Sequence, residues 1–260
     1  MGDDRVTYVG HATLLVEVGG VRMLTDPVLG GRVAHLRRHG GAVDADSLGD
    51  LDAVLVSHAH LDHLHVASLR RLAAKRPQPT LVLARGLRRH VAKLGFERVV
   101  ELRAGERTEV AGLGLVATHA DHDARRHPLG PPAEAVGYLI GSGDRRVYFA
   151  GDTDVFGEMA TLAENLDTAL LPVWGWGPTL GPGHLDPRRA AEALGLLRPR
   201  VAIPIHWGTL FPFALDRLRG KAPLLSDPPR EFARAAARLA PDVEVRVLQP
   251  GEATFLGSSR

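Results

Sequence analysis

Within Ser57-His58-Ala59-His60-Leu61-Asp62-His63, four side chains able to bind a metal ion fall inside six residues. The cluster directly follows Ala53–Ser57, a continuous apolar run that predicts a buried strand. In extended chain, residues two apart point the same way, so His58 and His60 can grip one ion. The turn that follows lets Asp62 and His63 face a second. A polar loop of solvated histidines needs neither this density nor an aspartate at this spacing. Three further candidates lie in the same local context, each just past an apolar strand: Asp152 after Val147–Ala150, His206 after Val201–Ile205, and His119 or His122 after Leu113–Thr118. Loops at strand ends converge on one rim of a sheet core, and two metals about 3.5–4 Å apart need a bridging carboxylate, a part open to Asp152. Alone, Asp152 reads as a turn residue and His206 as a hydrogen-bonded core imidazole. Beside the cluster, both read as ligands.

Such a site implies hydrolysis. Two divalent cations lower the pKa of a bound water to near 7, orient the resulting hydroxide, and take up charge on the attacked oxygen. No side-chain nucleophile is required. Zinc is the expected metal, and His/Asp sites with few soft ligands also accept manganese or iron.

The elements that must position these residues are legible in the same pattern. Val6–Val9, Ala12–Val18 and Val21–Thr25 predict short strands, with Gly19-Gly20 forming a two-residue hairpin between the last two. Val66–Ala74 has helical spacing. Further strands are predicted at Thr80–Ala84, Val99–Leu102, Leu113–Thr118, Ala135–Ile140, Arg145–Ala150, Thr168–Leu171, Val201–Ile205 and Val243–Val247. Helices are predicted at Leu87–Leu94, Gly157–Leu162, Arg188–Leu197 and Arg230–Leu239. Asp186 before Pro187 is an N-cap with proline at the first helical position, and Pro199 closes that segment. Two sheets covered by outer helices fit this order. With no repeat, low-complexity tract or linker, residues 1–260 read as one domain; the Gly- and Pro-rich loop Pro172–Gly183 holds two of the three Trp, which a linker would not carry.

Composition narrows the function. The chain has 260 residues, 45% hydrophobic and 24% charged, enough apolar material for a sizeable core. With 32 basic and 30 acidic side chains the net charge is only +2, and no dense basic run marks a nucleic-acid track. The absence of Cys removes disulfides, thiolate zinc sites, iron–sulfur clusters and Cys nucleophiles, so a metal must be held by His and carboxylate. Thirteen His stand against three Lys, and His is the commonest side-chain metal ligand. The amino terminus lacks a basic-then-apolar signal pattern and no apolar run approaches the roughly 20 residues of a membrane span, so the expected setting is the cytoplasm.

These residues resemble the metallo-β-lactamase-fold hydrolase superfamily over nearly the whole chain. Its pattern of His-x-His-x-Asp-His, a lone His, a bridging Asp and a final His, each at a strand end, matches His58, His60, Asp62, His63, then His122, Asp152 and His206. The resemblance implies an α+β fold, a four-layer αββα sandwich, with the metals at the rim between its sheets. Val9-Gly10-His11-Ala12-Thr13, Leu24-Thr25-Asp26-Pro27, Gly151-Asp152-Thr153, Gly183-His184-Leu185-Asp186-Pro187 and Ile205-His206-Trp207-Gly208-Thr209 are similar to the branch of the ascorbate-6-phosphate lactonases and N-acyl-phosphatidylethanolamine phospholipases D. That branch has a small residue or Pro where this chain has His119 and its ligand three positions on, so the alignment selects His122, with His119 beside the ligands.

The resemblance also brings His11 and Asp26 near the metals, where they would orient ligands. His184, before a capped helix, would protonate a leaving group beside the ligand Asp62 at the catalytic centre. Arg125 or Arg126 could clamp a phosphate or carboxylate. Trp174, Trp176 and Trp207, all in predicted rim loops, could form an apolar wall. His35, His39, His65, His90 and His127 read as surface residues. The expectation is therefore a metal-dependent hydrolase of a small ester, lactone or phosphodiester, with a small-molecule substrate and no nucleic-acid partner; a homo-oligomer is compatible with it. The rivals are a metal-binding module without turnover, a nuclease, a secreted lactamase and a diiron flavoprotein oxidoreductase, which would have Glu where this chain has His60.

Overall fold

The computed structural model describes residues 4–127, 130–131, 133–142, 145–175, 180–215 and 221–257. Two seven-stranded sheets dominate it. The first contains Arg5–Gly10 (β1), Thr13–Val18 (β2), Val21–Thr25 (β3), Ala53–Val56 (β6), Thr80–Ala84 (β7), Val99–Leu102 (β8) and Ala253–Phe255 (β17), in the order β17-β1-β2-β3-β6-β7-β8. The second contains Arg107–Val110 (β9), Leu113–His119 (β10), Val136–Ser142 (β11), Arg145–Phe149 (β12), Thr168–Pro172 (β13), Val201–Ile205 (β14) and Glu244–Val245 (β16), in the order β16-β14-β13-β12-β11-β10-β9. A small third sheet joins Arg32–Val33 (β4), Leu36–Arg38 (β5) and Leu210–Pro212 (β15).

Each large sheet is half antiparallel and half parallel. β3, β6, β7 and β8 run parallel, as do β12, β13, β14 and β16, while the meander β17-β1-β2-β3 and the run β9 to β12 are antiparallel. The parallel strands are buried on both faces and read accordingly: every residue of β6, β7, β13 and β14 is buried. They contribute Leu24, Leu55, Leu83, Phe149, Leu170 and Ile203 to one apolar core.

Helices cover the sheets. Val66–Ala73 (α1) buries Leu69 and Leu72; the first sheet also carries Arg88–Val91 (α2). Pro187–Leu197 (α3) and Pro228–Leu239 (α5) pack on each other and against β13 and β14, and Lys221–Ser226 (α4) precedes α5. The start of α3 follows the sequence: Asp186 accepts a hydrogen bond from the Arg189 amide at 2.8 Å, and Pro187 opens the helix. The helix predicted over Leu87–Leu94 shortens to α2, and Gly157–Leu162 forms 3₁₀ turns instead of an α-helix.

This topology sends the carboxyl ends of β1, β3, β6, β10, β12, β13 and β14 to one rim. β1 and β3 are both antiparallel to β2, and β10 and β12 are both antiparallel to β11, so the antiparallel halves contribute ends to the same rim as the parallel ones.

Candidate metal centre

The rim holds two sets of donors. His58, His60, His122 and Asp152 form one; His11, Asp62, His63 and His206 form the other; within each, the donor atoms lie within 4.8 Å of one another. Asp152 touches both sets, with Oδ2 3.3 Å from His63 Nε2 and Oδ1 3.4 Å from His206 Nε2.

The imidazoles are fixed from behind. His58 Nδ1 lies 2.9 Å from Ser57 Oγ, whose hydroxyl donates to Asp26 Oδ2 at 2.6 Å. His63 Nδ1 donates to the same carboxylate oxygen at 2.7 Å, and the Ser57 amide donates to Asp26 Oδ1 at 2.7 Å. His122 Nδ1 donates to the Gly183 carbonyl at 2.8 Å, and His206 Nδ1 to the Trp174 carbonyl. Each of these four rings is thereby left with Nε2 facing the rim, the arrangement that orients metal-ligating histidines. His58 Nε2 is fully buried with no hydrogen-bond partner. His60 Nδ1 and His122 Nε2 face each other at 3.1 Å, and His63 Nε2 and His206 Nε2 at 3.2 Å. Orphaned and mutually opposed ring nitrogens are costly in a buried protein interior and are what a cation between them satisfies.

The backbone is strained to build this. His11, Asp26 and His206 adopt φ of 59°, 31° and 64°, left-handed values that cost a non-glycine residue about 1–3 kcal/mol each. Hydrogen bonds hold the turns: the His206 amide donates to the His11 carbonyl at 2.8 Å, and the His11 amide to Thr209 Oγ1 at 2.9 Å. Gly151, at φ 62°, precedes Asp152 where a Cβ would meet Ser57 Cβ at 2.8 Å, so the tight approach of the two strand ends requires glycine.

Burial and charge set the protonation. Burial first, then His63 and His122, holds His58 well below the ordinary imidazole range. Burial brings His122 down to about 4, against the pull of Asp152. Burial and then His206 bring His11 down to about 3. His63 is the exception: burial opposes its charge, yet Asp152, Asp62 and Asp26 together raise it well above the usual range. Asp152 and Asp62 stay ionised despite burial, Asp152 mainly through His206 and His63 and Asp62 mainly through His63 and His11. Neutral imidazoles and ionised carboxylates are the forms that bind metal.

Beside the donors opens a cavity of about 390 Å³ whose walls include Val33, Leu36, Leu61 and Leu180 and whose polar edge includes Arg126 and His184. His184 Nε2 lies 3.9 Å from Asp152 Oδ2, and its Nδ1 lies 3.3 Å from the Gly181 and Pro182 carbonyls.

Several sequence expectations change here. His119 sits at the end of β10, exposed and edge-on to Phe156, outside both donor sets; the three further residues carry the chain back to the rim at His122. Arg125 is turned away, its guanidinium held by Asp123 in solvent; Arg126 reaches the cavity wall and donates to the Ala59 and Leu64 carbonyls at 2.7 and 3.2 Å. Neither Trp174 nor Trp207 lines the cavity beside the donors, although Trp174 lines an adjoining one with Leu180, Gly181 and His184. Both are buried: Trp174 is packed in the core, and Trp207 stacks on Tyr8 and donates Nε1 to the Pro204 carbonyl. Their apolar area is spent on anchoring the loops that carry His206. Trp176 lies outside the described residues. Of the histidines read as surface residues, His35 is exposed and also lines the cavity, whereas His39, His65 and His90 are half-buried, His65 against Ser68 at 2.7 Å.

Ser57 and Thr209 escaped the sequence reading as supports of the site. Ser57 carried the only local signal, its place between a buried strand and His58.

Residues 21–207 match the model of the beta-lactamase superfamily domain. The chain belongs to the metallo-β-lactamase-fold hydrolase superfamily. Curated relatives share its full length: a UPF0173 metal-dependent hydrolase from Methanopyrus kandleri is 35% identical over 253 residues, covering 95% of this chain and 98% of its own. An N-acyl-phosphatidylethanolamine-hydrolyzing phospholipase D from Caenorhabditis elegans is 32% identical over 232 residues, covering 78% of this chain and 63% of its own. Among solved structures, Igni18, a metallo hydrolase from Ignicoccus hospitalis, superposes with a TM-score of 0.73 at 26% identity, covering 99% of this chain and all of that one. The protein is thus a metal-dependent hydrolase of this fold, with His/Asp clusters able to bind metal. No described helix is long and apolar enough to cross a membrane.

Proposed function

We propose that this hydrolase is dinuclear and cleaves a phosphodiester, ester or lactone bond in a small substrate. The observation that carries the reading is Asp152, whose carboxylate belongs to the first donor set and lies 3.3 and 3.4 Å from two nitrogens of the second. In this reading His58, His60 and His122 would hold one ion and Asp62, His63 and His206 the other, with Asp152 available to both. The predominance of imidazole donors favours zinc over manganese, with iron the alternative that the same donors also suit. Divalent cations held there would supply a water activated near neutral pH and would take up charge on the attacked group.

The chain's own residues do the rest. Asp26 holds His58, through Ser57, and His63 in the tautomer that presents Nε2. Asp62 accepts a hydrogen bond from the attacking water. His184, with Nδ1–H donating to loop carbonyls, would act from its doubly protonated form, giving the Nε2 proton to the leaving group and keeping the Nδ1 proton. Val33, Leu36, Leu61 and Leu180 receive an apolar part of the substrate. The kinship with a phospholipase D supports the phosphodiester among the three bonds.

The test joins metal analysis to turnover. Protein purified without chelator is expected to hold two zinc equivalents and to hydrolyse a chromogenic phosphodiester, aryl ester or lactone, with activity lost on chelation and restored by zinc. Saturation at one equivalent would overturn the dinuclear reading, and a fully loaded protein inert on the whole panel would make it a metal-binding module.

A further inference from the structure

The two donor sets are unequal in a way that the pattern of His58, His60, Asp62, His63, His122, Asp152 and His206 does not account for. The first contains three imidazoles and Asp152. In the second, that pattern supplies only two, His63 and His206, with Asp62. The third nitrogen beside them is His11, far away in sequence and 2% exposed, whose turn is forced to a φ of 59° and is tied to the turn of His206 through the His11 carbonyl.

We propose that His11 is a ligand of the second metal position, not only a hydrogen-bond partner of Asp62. The inference rests on the dinuclear reading. His11 Nε2 lies 3.1 Å from Asp62 Oδ2, His63 Nε2 lies 3.2 Å from His206 Nε2, and Asp62 Oδ2 lies 3.9 Å from both His63 Nε2 and His206 Nε2. Donors about 2.0–2.2 Å from a shared four-coordinate ion stand roughly 3.3–3.6 Å apart, and these separations bracket that range. A residue that served only to orient Asp62 would need to approach that carboxylate alone. His11 instead converges with all three partners, its donor within 4.8 Å of each of theirs and its ring centroid 3.8 Å from that of His206. With His11 counted, each position has three imidazoles, and the second has Asp62 in addition to a share of Asp152. The second position is then the richer in donors and the slower to release its ion.

His11→Gln separates the two roles, because a glutamine amide can still donate a hydrogen bond to Asp62 but is a poor zinc ligand. The wild-type protein and the variant are titrated with zinc against a chromophoric chelator, and each is loaded with cobalt for its visible absorption spectrum. The expected result is two tight equivalents in the wild type and one in the variant, the lost site weakened beyond the roughly 100-fold typical of a partner that only orients a ligand. The cobalt bands of one site should change with it. Two equivalents in the variant, with affinity within that range and an unchanged cobalt spectrum, would overturn the assignment. If His11→Gln does not fold, His11→Asn, whose type tolerates left-handed backbone, is read against the same outcomes. A wild type that saturates at one equivalent would bring down the dinuclear reading itself, a result that needs no variant to see.

Discussion

The two donor sets are built by different means. The first, His58, His60 and His122 with Asp152, is assembled from ordinary strand ends, and its loop imidazole is oriented by a backbone carbonyl, Gly183, which cannot change charge. The second, His11, Asp62, His63 and His206, leans on left-handed turns and on a buried carboxylate, Asp26, that itself sits in a strained conformation. A carbonyl orients a ring without altering the charge of the site, whereas Asp26 adds a negative charge that helps raise His63 far above its neighbours. Proximity alone would have made the sets look equivalent; their supports differ, because Asp26 reaches His63 directly and His58 only through the Ser57 hydroxyl.

Breaking the shared element should have the largest effect. Asp152→Ala is expected to empty both positions and reduce hydrolysis to background, read as metal equivalents by elemental analysis. Loss of a single equivalent would show that Asp152 serves one side only. Asp26→Asn comes next, because it keeps the shape but removes the charge: zinc affinity at the second position should fall by roughly 10–100-fold, with a smaller change at the first. Equal losses at both would show that the Ser57 relay to His58 matters as much as the direct bond to His63.

Acid should distinguish the halves in the metal-free protein. Below pH 6.5 the unfolded chain takes up protons that folded His122 refuses until about pH 4 and folded His11 until about pH 3. Stability therefore falls as pH drops through that window, by about 1.4 kcal/mol per pH unit for each such group. His58 acts in the same direction, and His63, raised in the folded state, acts against them. The first set is thus acid-sensitive throughout and the second is partly self-compensating. His122→Gln should flatten the fall of melting temperature with acid, and a steeper fall would contradict the assignment.

Trp174→Ala should cost about 3–5 kcal/mol of stability, seen in denaturant unfolding, with KM little changed, because the ring fills core volume and does not line the cavity beside the donors. A selective rise in KM would return the aromatic-wall idea. The smallest effect belongs to His119→Ala, expected to leave both metal equivalents in place, since the ring is exposed and meets only the edge of Phe156.

What the sequence disclosed follows how locally each feature is encoded. The strand-end placement of His58, Asp152 and His206 was readable because β6 and β14 are buried throughout and β12 is buried over Val147–Phe149, each leaving an apolar run just before the ligand. The cap at Asp186 was readable because Asp-Pro is a local signal. β4, β5 and β15 were not, being two or three residues long, without a usable period, and stabilised by pairing Leu210 with Arg38 across the whole chain. The Trp rings were misplaced for a related reason: a loop position says that a residue is near the rim, but only packing decides whether its side chain turns outward or anchors the loop.

The small sheet deserves a last consequence, through Arg38. Its buried guanidinium donates to the carbonyls of Val9 at 2.6 Å and Val28 at 2.9 Å, next to the turns that carry His11 and Asp26, while the preceding residues Val33 to Leu36 wall the cavity. The wall of the cavity and the brace that shapes the metal-bearing turns are therefore one hairpin. Substrate preference cannot be regrafted by exchanging that hairpin freely between relatives: a transplanted segment must bring an arginine at position 38 with it, or the new specificity arrives on a collapsed metal centre.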